Sequence, residues 1–353
     1  MTAALNHEIF MQRCIELATM GAGHVMPNPM VGAVLVYNGR IIGEGYHQQY
    51  GQAHAEVNCV NNVADIDRPL IKSSTMYVSL EPCAHHGKTP PCAHLIVREQ
   101  IPHVVIGCVD TFSKVSGKGI EILKNAGIQV TTGILENACR ELNKRFFTFH
   151  EQKRPYIVLK WSQSVDGFIG TTDRQPVKIS NEYTDRLVHK WRSEEAAILV
   201  GTNTAVNDNP RLNTRLWPGN NPARVVIDLD LRIPPTHHIY DGSVKTFIVT
   251  THGTVPCGAT AITVERNGNV LQQMLSALHI HHVQSILIEG GAFTLQEFIA
   301  LELWDEARII VNEKPLGTGV SAPSWNFSPA TGITHLATDT IYYHRLNTLA
   351  PYF

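Results

Sequence analysis

The chain lacks what would send it to a membrane, a secretory route or a nucleic acid. None of its apolar runs approaches the roughly 20 residues needed to cross a bilayer, and the first helical stretch, His7 to Thr19, is interrupted by Glu8, Gln12, Arg13 and Glu16. Neither a membrane protein nor a secreted precursor is expected. Charged residues are only 17% of the 353, and 29 Lys plus Arg against 31 Asp plus Glu leave a net charge of −2. That balance gives no broad field to gather a phosphate backbone, so no nucleic-acid partner is expected. Cysteine is sparse and odd in number, seven in scattered positions, which favours reduced thiols or metal ligation over a disulfide framework and points to the cytoplasm. Also missing are internal repeats, low-complexity tracts and a Gly-x-Gly-x-x-Gly dinucleotide fingerprint.

What is present is a 43% hydrophobic chain long enough for two cores. Helical periodicity falls near residues 7–19, 53–63, 92–99 and 118–126. Apolar runs mark strands at Val31 to Tyr37, Arg40 to Tyr46, Thr75 to Leu80, His103 to Val109 and Ile128 to Thr132, with Asn38-Gly39 a hairpin signal. A sheet layered between helices is expected over residues 1–149. The polar stretch from His150 to Pro155 suggests a boundary, and residues 150–353 read as a second α/β domain. There the runs are Tyr156 to Trp161, Ala196 to Val200, Arg224 to Ile227, Thr246 to Thr250 and Ser285 to Ile288. The clearest helix has Ser180 as candidate N-cap, with Tyr183, Leu187 and Trp191 four apart on one face. Most of the 18 histidines, such as His237, His238, His281 and His282, sit in polar stretches and read as surface.

One cluster carries chemistry. His54-Ala55-Glu56 lies a strand before Glu81-Pro82-Cys83, and Cys92 follows an eight-residue insert. One imidazole and two thiolates suit tetrahedral zinc, and three protein ligands leave the fourth position for water, as in a catalytic site. Glu56 is the expected proton carrier. The pattern is that of zinc nucleobase deaminases, His-x-Glu with Pro-Cys-x-x-Cys, except that eight residues separate the thiolates instead of two. Closing the longer loop costs little, because loop entropy grows logarithmically with length. His85, His86 or His94 offers a fourth ligand, so spacing leaves a structural zinc site open.

Pro27-Asn28-Pro29-Met30-Val31-Gly32, Gly43-Glu44-Gly45-Tyr46-His47, His54-Ala55-Glu56 and the long segment Glu81 to Cys92 together resemble the bacterial bifunctional riboflavin-biosynthesis deaminase/reductases. The resemblance continues through Lys160 to Gly167, Thr202 to Pro210 and Glu289-Gly290-Gly291. It implies a cytidine-deaminase-like three-layer α/β/α domain followed by a dihydrofolate-reductase-like α/β domain. It also implies one zinc per chain, NADPH, small phosphorylated pyrimidine substrates and a homo-oligomer. The implied reactions are deamination of a diaminopyrimidinone ribosylamine phosphate, then reduction of its ribosyl group to ribityl.

For the deaminase, the resemblance places Asn28, His47, His85, Lys88 and Thr89 at the substrate. For the reductase it places Ser162, Lys178, Thr204, Asp208, Gly291, Ala292, Phe293, Thr294, Leu295, Gln296 and Glu297 near the nucleotide, and Arg192, Leu212, Arg215 and Glu289 near the substrate. The run Ile286-Leu287-Ile288-Glu289 into Gly290-Gly291 reads as a strand entering a helix, whose first amides suit a pyrophosphate. Two arginines suit a sugar phosphate. One departure is clear: the family commonly has Ser-x-Trp-Ile-Thr where this chain has Pro176-Val177-Lys178-Ile179-Ser180, so a cation replaces an aromatic ring.

Overall fold

Asn38 and Gly39 take positive φ, 48° and 79°, so both central residues meet the requirement of a type I′ turn. They join β1 (Gly32–Tyr37) to β2 (Arg40–Tyr46) in antiparallel register. The computed structural model describes residues 6–84, 91–111, 117–173, 177–256, 258–327 and 329–346. Two units are separated by contact density, Met1–Gln152 and Lys153–Phe353.

In the first unit, α1 (His7–Thr19) precedes the hairpin, followed by α2 (Ala55–Asn61), β3 (Thr75–Leu80), α3 (Cys92–Arg98), β4 (His103–Cys108), α4 (Lys118–Asn125), β5 (Gln129–Thr132), α5 (Glu136–Leu142) and α6 (Lys144–Gln152). The sheet order is β2-β1-β3-β4-β5, with β3, β4 and β5 parallel. Alternate strand residues serve different cores. Ala33, Leu35, Met76 and Val78 pack against Cys59, Val60, Ala93, Ile96 and Leu123 from α2, α3 and α4. Val34, Val36, Tyr77 and Val105 pack against Phe10, Met11, Cys14, Cys139 and Phe146 from α1, α5 and α6. The result is the three-layer arrangement expected of strands buried on both faces.

Glycine makes one of these layers possible. A Cβ on Gly45 would lie 2.3 Å from Cys59 N and 2.7 Å from Ala55 O, and one on Gly43 would lie 2.6 Å from Cys59 O. Only a bare strand face lets α2 lie this close, and α2 carries the His54-Ala55-Glu56 motif. Helices α5 and α6 were not expected. Their apolar residues, Cys139, Phe146, Phe147 and Phe149, form too short a pattern to read, and the polar His150 to Gln152 belong to the end of α6 rather than to a linker.

The second unit contains β6 (Tyr156–Ser164), β7 (Phe168–Gly170), α7 (Glu182–Glu194), β8 (Ala197–Gly201), α8 (Thr202–Asp208), β9 (Ala223–Ile227), β10 (Thr246–Thr250), β11 (Ala259–Thr263) and α9 (Val270–Ile280). It continues with β12 (Ser285–Gly290), α10 (Ala292–Ala300), β13 (Glu306–Asn312), β14 (Val320–Ser321), β15 (Gly332–Leu336) and β16 (Asp339–Arg345). A nine-stranded sheet runs β11-β10-β9-β8-β12-β6-β13-β16-β15. It is parallel from β11 to β13, and β16 and β15 close it antiparallel. Helices α9 and α10 cover one face through Leu271, Met274, Leu278, Leu295 and Phe298. Ala205 of α8 and Val188 and Trp191 of α7 pack on the other.

The helix expected after Ser180 is α7, but its N-cap is Asn181, whose Oδ1 accepts the N–H groups of Tyr183 at 2.9 Å and Thr184 at 3.0 Å. Ser180 instead donates its hydroxyl to Asp185. The buried face holds Thr184, Val188 and Trp191, and Tyr183 is 53% exposed.

Candidate active sites

His54 is the N-cap of α2, Cys92 opens α3, and Cys83 follows β3. Two helix starts and one strand end thus meet at a point. His54 Nδ1 lies 3.5 Å from Cys83 Sγ and 3.4 Å from Cys92 Sγ, and the three ligand atoms all fall within 4.8 Å of one another. Helix N-termini favour thiolate. Cys83 also accepts the backbone N–H of Cys92 at 3.3 Å, and hydrogen bonding from Cys92 and then His54 draws its pKa down. One imidazole and two thiolates converging within a single ion's reach fit zinc. Glu56 sits in the first turn of α2 with 3% exposure, and burial first, then Cys83, pushes its carboxyl up to about 7.

Asn28 and His47 stand beside this triad as a pair. His47 Nδ1 meets the carbonyl of Ala53 at 3.0 Å, so it carries the proton, and His47 Nε2 accepts from Asn28 Nδ2 at 3.1 Å. The His47 ring stands edge-on to that of His54, 5.2 Å between centroids. Asn28 is left with a carbonyl oxygen to present. Its loop is anchored by Asn143, which exchanges two bonds of 2.8 Å with the backbone of Met30. His85, Lys88 and Thr89 lie outside the described residues. Sequence reasoning passed over Glu81 as a position of its own. Its buried carboxylate accepts N–H groups from Asp110, Gly117, Gly119 and Ile120, fixing the chain that leads into α4 next to Cys83. Nothing local signals it, because its partners lie 29 to 39 residues ahead.

In the second unit, Arg192 of α7 and Glu289 of β12 meet each other. Arg192 Nε donates to Oε1 at 2.8 Å and Nη2 to Oε2 at 2.6 Å, while Nη1 reaches Asn213 O at 3.2 Å. Arg192, expected near the substrate phosphate, thus has its Nε–Nη2 edge engaged by Glu289. Arg215 is different. Its side chain is exposed, with one bond to Asn213 Oδ1, and the nearby positive charges of Arg192 and Arg211 add to burial in lowering its pKa. Leu212 is 3% exposed in a hydrophobic core, so its side chain is unavailable and only its backbone is left for a ligand. Lys160, through its charge on Glu289, and His189, whose Nδ1 accepts the Arg215 N–H at 3.1 Å, join the cluster, and neither was expected.

A cavity of about 1010 Å³ opens beside this cluster at the C-terminal ends of β8, β9 and β12. That edge of a parallel sheet is where such folds hold ligands. Thr204, Asp208, Gly291, Ala292, Phe293, Thr294 and Glu297 line it. A Cβ on Gly291 would lie 3.0 Å from Thr204 Oγ1, and one on Gly201 2.4 Å from Thr294 Oγ1, so the starts of α8 and α10 pack closely at its wall. Gly291 caps α10 with no side-chain bond, which leaves the first amides of that helix to a ligand.

Other expected positions are placed as follows. Leu295 is 1% exposed in the core, because it faces the sheet side of α10, and Gln296 Oε1 is taken by Ser324 N–H at 2.8 Å. Lys178 pairs with Asp185 at 3.0 Å and, like Ser162, is not among the lining residues. Ser162 Oγ is nevertheless buried without a hydrogen-bond partner, on the strand face shared with Lys160. The sequence reading missed Asp228, Asp230 and Arg232 on the same cavity wall. The signal was available: a short apolar strand, Arg224 to Ile227, ending in an acidic turn.

A three-layer unit with a His-Cys-Cys triad, joined to a mostly parallel unit with a ligand cavity at its strand ends, defines a zinc-dependent deaminase followed by a dihydrofolate-reductase-like reductase. The comparisons agree with this class. Residues 5–108 match the cytidine and deoxycytidylate deaminase zinc-binding region, and residues 155–333 match the RibD C-terminal domain. The riboflavin biosynthesis protein RibD of Aquifex aeolicus is 35% identical over 320 residues, covering 88% of each chain, and that of Escherichia coli 32% identical over 335 residues, covering 89% of each. The crystal structure of a diaminohydroxyphosphoribosylaminopyrimidine deaminase/5-amino-6-(5-phosphoribosylamino)uracil reductase from Thermotoga maritima superposes with a TM-score of 0.87 at 32% identity, covering 96% of this chain and 98% of that one. The chain belongs to the RibD family, the bifunctional deaminase/reductases of riboflavin biosynthesis.

Proposed function

We propose that the first unit deaminates 2,5-diamino-6-(5-phosphoribosylamino)pyrimidin-4(3H)-one and that the second reduces the resulting 5-amino-6-(5-phosphoribosylamino)uracil to its ribityl form with NADPH. The observation that carries the reading is the convergence of His54, Cys83 and Cys92 within 4.8 Å beside the buried Glu56. Zinc bound there supplies a Lewis acid that makes water nucleophilic near neutral pH. With zinc held by His54, Cys83 and Cys92, Glu56 would carry two protons in turn, the first from the attacking water to the ring nitrogen and the second from the newly added hydroxyl to the amine, which leaves as ammonia. Asn28, fixed by His47, presents its carbonyl oxygen to the donor edge of the ring. The family resemblance assigns His85, Lys88 and Thr89 to the same substrate, at its ring, ribose or phosphate.

In the second unit the nicotinamide supplies the hydride, and the chain's own part is orientation. The amides at the start of α10 receive the pyrophosphate, and Thr204, Asp208 and Glu297 border the nucleotide. Glu289, kept ionised by Arg192, accepts from the ribose hydroxyls, while Arg215 beside Arg211 takes the substrate phosphate. Ser162, with its unpartnered hydroxyl, stands at the same strand face. The six described cysteines are all free, which supports a reducing, cytoplasmic setting. An assembly of like chains completes the proposal.

Ammonia release and NADPH oxidation, measured separately on the two successive pyrimidines, test it. Glu56→Gln is expected to abolish the first and leave the second intact when deaminated substrate is supplied. Ammonia release at the normal rate by that variant would remove Glu56 from the chemistry.

A further inference from the structure

The loop between α8 and β9 carries Arg215, and it rests on α7. Asn213 O accepts from Arg192 Nη1 at 3.2 Å, and the N–H of Arg215 donates to His189 Nδ1 at 3.1 Å. His189 and Arg192 are three apart in α7, so they are neighbours on one helix face. Further along, a Cβ on Gly219 would lie 2.7 Å from Ser193 Cβ, so the loop backbone lies directly on the helix. Leu212 plugs the near end of the loop into the core, whereas Leu216 and Trp217, just beyond Arg215, are exposed. His189 therefore ties the chain to the helix where the buried stretch gives way to the exposed one. This inference rests on the reading of Arg215 as the anchor of the substrate phosphate. We propose that His189 is a positioning residue of the reductase, whose neutral imidazole holds the Arg215 amide and so sets the guanidinium where the phosphate binds.

The type of contact matters. His189 takes the main-chain N–H of Arg215 and leaves its side chain alone, so the guanidinium, with one bond to Asn213 Oδ1 at 3.0 Å, keeps donors for phosphate oxygens. An acceptor at Nδ1 requires a ring whose proton sits on Nε2. Burial first, then the charges of Arg192 and Arg215, disfavours the imidazolium, and Glu289 of β12 and Asp185 of α7 offset this only in part. The ring is thus a neutral acceptor near neutral pH and adds no charge of its own to the phosphate site.

The same helix face also fixes a distance. Thr214 is braced from within the loop, its N–H donating to Asn221 Oδ1 at 2.8 Å and its hydroxyl to Asn220 O at 3.2 Å, so the loop moves as a piece and needs an outside reference. His189 and Arg192 supply it. Arg192 holds Glu289 of β12 with its other edge, and His189 holds Arg215, so one turn of α7 sets the separation between the carboxylate and the guanidinium. A ribosyl phosphate that meets Glu289 with its hydroxyls and Arg215 with its phosphate must span that separation, and small errors in such placement are costly.

The test is steady-state reduction by the full chain, with the deaminated substrate supplied with and without its phosphate. His189→Phe keeps a ring in the helix face and removes the acceptor, and His189→Gln, whose polar end falls at the Nε2 position, removes it a second way. His189→Asn puts an oxygen where Nδ1 stood. KM for the phosphorylated substrate should rise about fivefold in His189→Phe and His189→Gln, as for one net hydrogen bond, with kcat and the KM for NADPH unchanged. The dephosphorylated substrate should show no such rise, and His189→Asn should recover most of the loss. His189→Phe/Arg215→Ala should be no worse than Arg215→Ala alone, because the imidazole acts through the guanidinium. Equal losses on both substrates, or additive losses in the double variant, would make His189 a general structural residue and overturn the proposal. An unchanged KM in His189→Phe, beside a phosphate-dependent loss in Arg215→Ala, would overturn it while leaving Arg215 as the anchor. If Arg215→Ala itself fails to distinguish the two substrates, the phosphate reading of Arg215 falls and takes the proposal with it.

Discussion

Arg192 grips Glu289 at two points, Nε to Oε1 at 2.8 Å and Nη2 to Oε2 at 2.6 Å, with side-chain exposures of 13% and 9%. Burial alone would raise the Glu289 pKa, but Arg192 and Lys160 outweigh it and hold the carboxyl down to about 2. Removing one partner of such a pair strands the other charge. Arg192→Met is expected to cost about 3 to 5 kcal/mol in chemical denaturation, and the double variant Arg192→Met/Glu289→Leu to recover much of that loss. A double variant no more stable than the single would show that the pair is not what the single change disturbs.

Cys83→Ala should strip zinc from the protein. The triad offers three ligands, and losing one leaves an imidazole and one thiolate. Metal analysis of the purified variant, beside wild type at one zinc per chain, reads the outcome directly. Undiminished zinc would put the ligands elsewhere.

Arg215 is the open cation of the reductase cluster, so its contribution should depend on the substrate's phosphate. Arg215→Ala is expected to lower kcat/KM about tenfold or more with the phosphorylated substrate, and to have little effect once the phosphate is removed. If the side-chain and phosphate deletions simply add, Arg215 is a surface charge and no more.

His189 makes the second unit sensitive to acid. Its Nδ1 accepts the backbone N–H of Arg215 at 3.1 Å, which requires an unprotonated nitrogen. Burial first, then the charges of Arg192 and Arg215, holds its pKa down to about 4, with Glu289 and Asp185 pulling weakly the other way. The unfolded chain, with an ordinary value of about 6.5, therefore binds more protons between these limits, and stability rises with pH across them. This contribution, about 1 to 3 kcal/mol, is complete above about pH 6.5 and is lost as the pH falls to about 4. Unfolding midpoints at neutral pH and near pH 4.5 should differ less in His189→Gln than in wild type. Parallel pH profiles would assign the acid sensitivity to other groups.

Much of the candidate deaminase site could be read from the chain because its parts are local. His54 and Glu56 lie two apart at the start of one helix, and Cys83 and Cys92 end a strand and open the next helix, so donor type and spacing carried the chemistry. The Asn38-Gly39 turn declared itself in the same way, since both residues tolerate positive φ. The N-cap of α7 was misplaced by one residue because Ser180 and Asn181 are both competent caps, and only the hydrogen bonds to Tyr183 and Thr184 choose between them.

What the sequence determined by itself was the division into two α/β halves, the strands written as apolar runs and the identity of the zinc-binding motif, all of them set by residues close in the chain. The tertiary structure alone decided which charges meet. Arg192 and Glu289 are 97 residues apart and Asn143 clasps Met30 across 113. Strands β8 and β6 flank β12 although β6 begins 129 positions before it. A guanidinium is equally soluble as a phosphate anchor or as an ion-pair partner. Its use is fixed only when sheet order brings one carboxylate within reach of Arg192 and leaves Arg215 and Arg232 open.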